Sequence, residues 1–186
     1  RVYLPPTAEV VRILAKTDRL NAPWYAGAGI TRAKTVFTNL RAKLRESQRD
    51  VLYEGRLNPL IADSGSYYIF GNRTMLDNDT SALRQISLVR LVLYLRKVIN
   101  PIAKRLLFEP NDAGVRNQFR REVEPILRDV RDNRGLTAYR INLSESAADI
   151  DNGVLNGSII LIATPSLEEI NISFVLKPTG STFEVN

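Results

Sequence analysis

The sequence predicts an α/β (α+β) domain in which a small mixed sheet is packed by two long helices and shorter flanking helices. Three observations predict it. From about Ala82 to Leu107, and again from about Ala113 to Arg134, apolar residues recur at helical spacing. After Gly135 the period falls to two, with Tyr139, Ile141 and Leu143 alternating with Arg140 and Asn142, as in a strand with one buried face. Upstream of both helices, the apolar run Tyr67-Tyr68-Ile69-Phe70 reads as a short strand ended by Gly71-Asn72.

Taken in order, residues 1–56 form an N-terminal helix and a basic connecting region of the same domain. Residues 57–168 form a central strand-helix-helix-strand core, and residues 169–186 a C-terminal strand or arm. The first helix, about Thr7 to Arg19, groups Val10, Val11, Ile13 and Leu14, with Thr7 as its expected cap after Pro5 and Pro6. Pro23, Gly27 and Gly29 predict an irregular loop. A short helix over 45–54 places Leu44, Gln48, Val51 and Leu52 on one side and ends at Gly55. Asn58-Pro59 forces an extended or turn conformation, and Asp63-Ser64-Gly65-Ser66 is a tight turn.

The first long helix is apolar around most of its circumference, so it is expected to be buried nearly all round. Arg90, Lys97 and Lys104 are exceptions that repeat every seven residues and line a stripe beside Tyr94. Pro101 is expected to kink or offset the helix, and Pro110 to stop it, with Asn111 or Asp112 capping the next. That second helix carries Val115, Phe119, Val123, Ile126 and Val130 on one face and arginines on the rest, and Gly135 is expected to close it. Beyond a polar connection over 144–153, the continuous run Ile159-Ile160-Leu161-Ile162 predicts a central strand covered on both faces. In the last strand, Glu169 to Lys177, Ile170, Ile172, Phe174 and Leu176 point one way.

Composition narrows the function. The 186 residues contain neither cysteine nor histidine, which removes disulfides, thiolate metal sites and the usual general base. No cofactor is expected. Ala28 to Thr35 superficially resembles a phosphate loop, but alanine occupies both glycine positions. Asp63, Asp77 and Asp79 cluster around turns, where turn chemistry accounts for them, so the chain is not expected to be an enzyme. No apolar run spans a bilayer and no signal peptide is evident, so membrane insertion is not expected and the protein is expected to be soluble and intracellular when made. The chain opens on Arg1 rather than methionine and is read as part of something longer. Net charge is +6, with a basic front and an acidic tail that favour head-to-tail association of copies.

A string of short motifs runs through almost the whole chain. In order these are Leu4-Pro5-Pro6-Thr7, Ala15-Lys16-Thr17-Asp18-Arg19, Pro23-Trp24-Tyr25-Ala26, Leu57-Asn58-Pro59-Leu60 and Gly71-Asn72-Arg73-Thr74. Ser87-Leu88-Val89-Arg90-Leu91, Phe108-Glu109-Pro110-Asn111 and Thr179-Gly180-Ser181-Thr182-Phe183-Glu184 complete the series. In this order and spacing the sequence resembles the C-terminal domain of contractile tail sheath proteins of phages and related injection particles. Thr7-Ala8 departs from the small pair, such as Ser-Gly, that family members commonly carry there.

The resemblance implies a structural subunit that polymerises around an inner tube in stacked rings and contracts to drive it through a membrane. The implied partners are other sheath subunits, the tail tube protein, and the baseplate and terminator at the ends; the implied location is the virion tail. It also implies that the 169–186 strand is exchanged between subunits, against the simpler reading as an edge strand of its own sheet. An arginine-rich helix is then expected to meet an acidic tube surface. The candidates are the face bearing Arg116, Arg120, Arg128 and Arg131, or the Arg90, Lys97 and Lys104 stripe. The alternative is a basic nucleic-acid-binding domain, with Arg116, Arg120, Arg128 and Arg131 contacting phosphates. Interleaved Glu122, Glu124, Asp129 and Asp132 weigh against it, and no specific nucleic acid is expected.

Overall fold

A computed structural model describes residues 4–78, 80–144 and 146–166. The expected strand over 169–177, with Ile170, Ile172, Phe174 and Leu176, lies outside the described residues. The fold is mixed α+β. In chain order it runs α1 (Thr7–Leu20), α2 (Glu46–Glu54), β1 (Leu60–Asp63), β2 (Ser66–Ile69), α3 (Ile86–Arg105), α4 (Ala113–Asp132), β3 (Leu136–Leu143), α5 (Ala147–Asp151) and β4 (Gly157–Ala163).

Among the described residues the expected single mixed sheet is instead two separate antiparallel pairs, β1–β2 and β3–β4. Ser64 and Gly65, at φ 46° and 75°, form the tight turn that the sequence places before β2, and in the structure it joins β1 to β2. This hairpin packs on α1 through Ile13, Ala33 and Ile69, apart from the principal core. The principal core joins α3, α4 and β3 through Leu91, Leu95, Ile102, Phe119, Val123, Leu127, Val130 and Leu136, with Trp24 inserted from the loop after α1.

Leu127 is fully buried while Ile126 only packs against the core from its side. Helix α3 is not buried all round: Leu93 is 56% exposed, because core, sheet and Trp24 cover only the opposite side. Its predicted start at Ala82 is a single 3-10 turn, in which the Ser81 hydroxyl accepts from the Leu83 N–H. Gln85 then takes extended geometry and bridges Arg73 before the α-helix begins. The helix continues past Pro101 to Arg105.

Three termini refine the expected capping. At α1 the N-cap is Pro6, with no side-chain cap bond, and Thr7 is already helical. At α4 Asp112 is the cap, accepting from the Val115 N–H at 2.9 Å. At the other end of α4 the left-handed residue is Arg134, at φ 65°, not Gly135. The Gly135 N–H closes the turn on the Val130 carbonyl at 2.8 Å. Glycine is required there by proximity, since a Cβ would meet Val130 Cγ1 at 2.6 Å and the Trp24 ring at 3.1 Å.

The turn after β2 is held by side chains rather than by backbone permissiveness. Asn58 imitates a neighbouring strand, accepting from the Arg73 N–H at 2.9 Å and donating to the Arg73 carbonyl at 2.8 Å. Its Cα lies 2.9 Å from where a Cβ on Gly71 would sit, so only glycine fits. Asn72 is buried and ties the turn to α3 by donating to Ser87 Oγ at 2.9 Å.

Candidate assembly surfaces

The β3–β4 pair presents the first candidate surface. Its register aligns Ala138 with Ile162, Arg140 with Ile160 and Ile141 with Ile159. Alternation puts Ile159, Leu161 and Ala163 against the core, while Ile160 and Ile162 are 50% and 57% exposed on the outer face. The run 159–162 is therefore not a strand covered on both faces. Among the described residues β4 pairs only with β3, and no described strand takes its other edge. An apolar cleft of about 370 Å³ adjoins the start of β4, lined by Leu106, Val115, Phe119, Leu155 and Ile159 among others.

The basic residues separate by their surroundings. Arg116 is buried: its Nε donates to the Ser144 carbonyl at 3.1 Å and its Nη2 to Asn111 Oδ1 at 3.1 Å. It joins α4 to the end of β3, with its guanidinium turned to these partners rather than to solvent. Arg90 sits largely covered and pairs with Asp18 of α1. Arg128 pairs with Glu124 at 3.3 Å, and Arg131 pairs with Asp132 at 2.9 Å and lies over the Tyr139 ring. Arg105 bridges to Glu122, linking the two long helices across their surface. Arg120 is half-buried, whereas Lys97 and Lys104 project to solvent. The expected continuous arginine face on α4 is thus broken into local ion pairs. Charge type was legible in sequence, but burial of Arg116 was signalled only by its i, i+3 and i, i+7 spacing to Phe119 and Val123.

A third surface is the α3–α4 corner. Phe108 is fully exposed and takes φ 72°, in the left-handed region that a bulky residue rarely adopts. The next turn is anchored: Asn111 donates to the carbonyls of Asp149 and Val154, each at 3.1 Å. Among the described residues no helix is long and apolar enough to cross a membrane.

No protein-family model matches the chain. Two curated relatives do. The tail sheath protein of Vibrio phage KVP40 is 30% identical over 186 residues, covering 97% of this chain and 28% of that protein. The tail sheath protein of Enterobacteria phage T4 is 27% identical over 187 residues, covering 98% of this chain and 28% of that protein. The chain therefore spans little more than a quarter of the length of the curated relatives it matches.

Among solved structures, the fold matches the sheath complex of the extracellular contractile injection system PVC in its contracted state. The TM-score is 0.85 at 20% identity, covering 94% of this chain and 52% of that one. It also matches a chain in the anti-feeding prophage baseplate, at TM-score 0.83 and 20% identity, covering 95% of this chain and 51% of that one. At those identities the likeness is one of fold. Nearly the whole of this chain is thus similar in sequence to about a quarter of each of these two tail sheath proteins.

Proposed function

We propose that this chain is the assembling part of a contractile tail sheath subunit, which polymerises around an inner tube and contracts to drive the tube through a membrane. The observation that carries this reading is the near full-length homology to tail sheath proteins. The role is structural, with no catalysis and no cofactor. The partners are further copies of the subunit, the inner tube, and the baseplate and terminator at the two ends.

The open edge of β4 is where a strand from a second subunit would add. Residues 169–177 suit it, since in a strand Ile170, Ile172, Phe174 and Leu176 would fall on one face and could cover the apolar cleft beside Ile159. Each added backbone bond contributes about 1 kcal/mol net, and a lattice repeats that contribution at every subunit. Such linkage is insensitive to side-chain rotation, so it can persist while rings shorten and widen.

Contact with the tube must release on contraction. Exposed ion pairs suit this, at about 0–1 kcal/mol each. Lys97 and Lys104 on α3 are the exposed members of their stripe; on α4, Arg120, Arg128 and Arg131 are the accessible ones, and two of these already have carboxylate partners. The α3 stripe is therefore the better tube-facing surface. The same pairing weakens the case for a phosphate-binding helix.

The test is negative-stain electron microscopy of the full-length protein. Hollow striated tubes or rings are expected. Removal of residues 169–186, or joint replacement of Ile160 and Ile162 by aspartate, is expected to abolish them. A wild-type protein that stays monomeric at all concentrations and salts would refute the reading.

A further inference from the structure

The corner that presents Phe108 is built, not loose. Asn111 is fixed to the α5–β4 connection through two carbonyls, the buried Arg116 holds Asn111 Oδ1, and Asp112 caps α4. On this support the chain places a fully exposed phenyl ring at φ 72°, with exposed Leu107 before it and Glu109 after it. An aromatic side chain held in water by a rigid corner, with unfavourable backbone geometry, has the form of an anchor for a partner's pocket.

A suitable pocket exists elsewhere on the same chain. A cavity of about 630 Å³ opens between the loop after α1, helix α2 and the end of β4, with Tyr25, Tyr53 and Phe70 on its walls. Its charged lining, Arg32, Arg49 and Arg134 against Glu46 and Asp50, is net positive. Arg49 is half-buried on the cavity wall and its covered Nε has no hydrogen-bond partner among the described residues, so the guanidinium is placed to receive an incoming carboxylate.

We propose that Phe108 of one copy inserts into the Tyr25–Tyr53–Phe70 cavity of the next, with Glu109 meeting Arg49. Anchor and cavity occupy different places on the surface, so the contact is head-to-tail and propagates rather than closing as a twofold dimer. The inference rests on the polymerising role proposed above and names a second contact, whose Phe108 and Glu109 also border the cleft beside Ile159.

The test uses full-length protein in a background without cysteine, carrying Phe108→Cys in one preparation and Phe70→Cys in another. Co-assembly under mild oxidation is expected to yield a disulfide-linked dimer containing one copy of each. Phe108→Ala is expected to raise the critical concentration for polymerisation roughly tenfold or more. Glu109→Arg is expected to impair polymerisation, and adding Arg49→Glu to restore it, with circular dichroism confirming that each variant folds. If wild-type protein forms tubes, absence of the 108–70 product, or failure of the charge swap to restore assembly, overturns this contact and leaves the sheath role standing. Oxidation of a Phe70→Cys, Phe183→Cys double variant within single chains would show that the C-terminal segment fills the cavity, which also overturns it. Wild-type protein that forms neither tubes nor rings overturns both.

Discussion

The indole N–H of Trp24 donates to the carbonyl oxygen of Asn133 at 2.9 Å, joining residues 109 apart in the chain. The same ring lies 5.6 Å from the Tyr94 ring at 60° and presses on Gly135. One side chain from the loop after α1 thereby fixes the end of α4 against α3 and sets where β3 begins. Trp24→Phe should lower stability by about 1–3 kcal/mol, through the lost bond and reduced packing, as read by urea unfolding. A change within measurement error would show that the bond is offset by water.

The adjacent positions 134 and 135 should respond in opposite directions. Gly135→Ala pushes a methyl into Val130 and Trp24 and should cost about 1–3 kcal/mol. Arg134→Gly relieves the left-handed backbone at φ 65° and should be neutral or stabilising by up to about 1 kcal/mol. Thermal melts of the two variants check the sign.

Arg116 and Lys97 should separate folding from attachment. Arg116→Met leaves the acceptors on Ser144 and Asn111 without their donor and should cost about 1–3 kcal/mol. Lys97→Glu combined with Lys104→Glu should leave stability within about 0.5 kcal/mol per site, yet weaken co-sedimentation of sheath with tube at low salt. Unchanged co-sedimentation would move the tube contact to another surface.

Glu9 makes stability depend on pH. Its carboxylate receives the Arg12 guanidinium and the Val36 N–H, and these hold its pKa below the ordinary glutamate value despite burial. A depressed folded-state pKa stabilises the protein above the unfolded value of about 4.3, and that contribution is lost as pH falls through the folded value. Glu9→Gln should therefore lower stability at pH 7 and flatten the acid limb of the stability curve. Parallel urea titrations near neutrality and below the ordinary glutamate pKa test this; equal acid limbs in both proteins would refute it.

The sequence by itself determined the local elements and carried a resemblance to a family. Periodicity marked both long helices and β3, the Ser64-Gly65 chemistry marked the turn before β2, and Asp112 was marked as one of two caps, because each depends on near neighbours in the chain. The motif series pointed to sheath proteins, and the similarity of nearly all of this chain to part of two tail sheath proteins agrees with it.

What only the tertiary structure decided is which residues meet across the chain. Burial of Arg116 requires the carbonyl of Ser144, 28 residues away, and exposure of Ile160 and Ile162 follows from a sheet of only two described strands. An apolar run reads the same whether its second face is covered by its own chain or offered to another. Hydrophobic pattern measures a side chain's preference for leaving water, whereas the packing of distant elements determines whether anything within the chain is there to receive it.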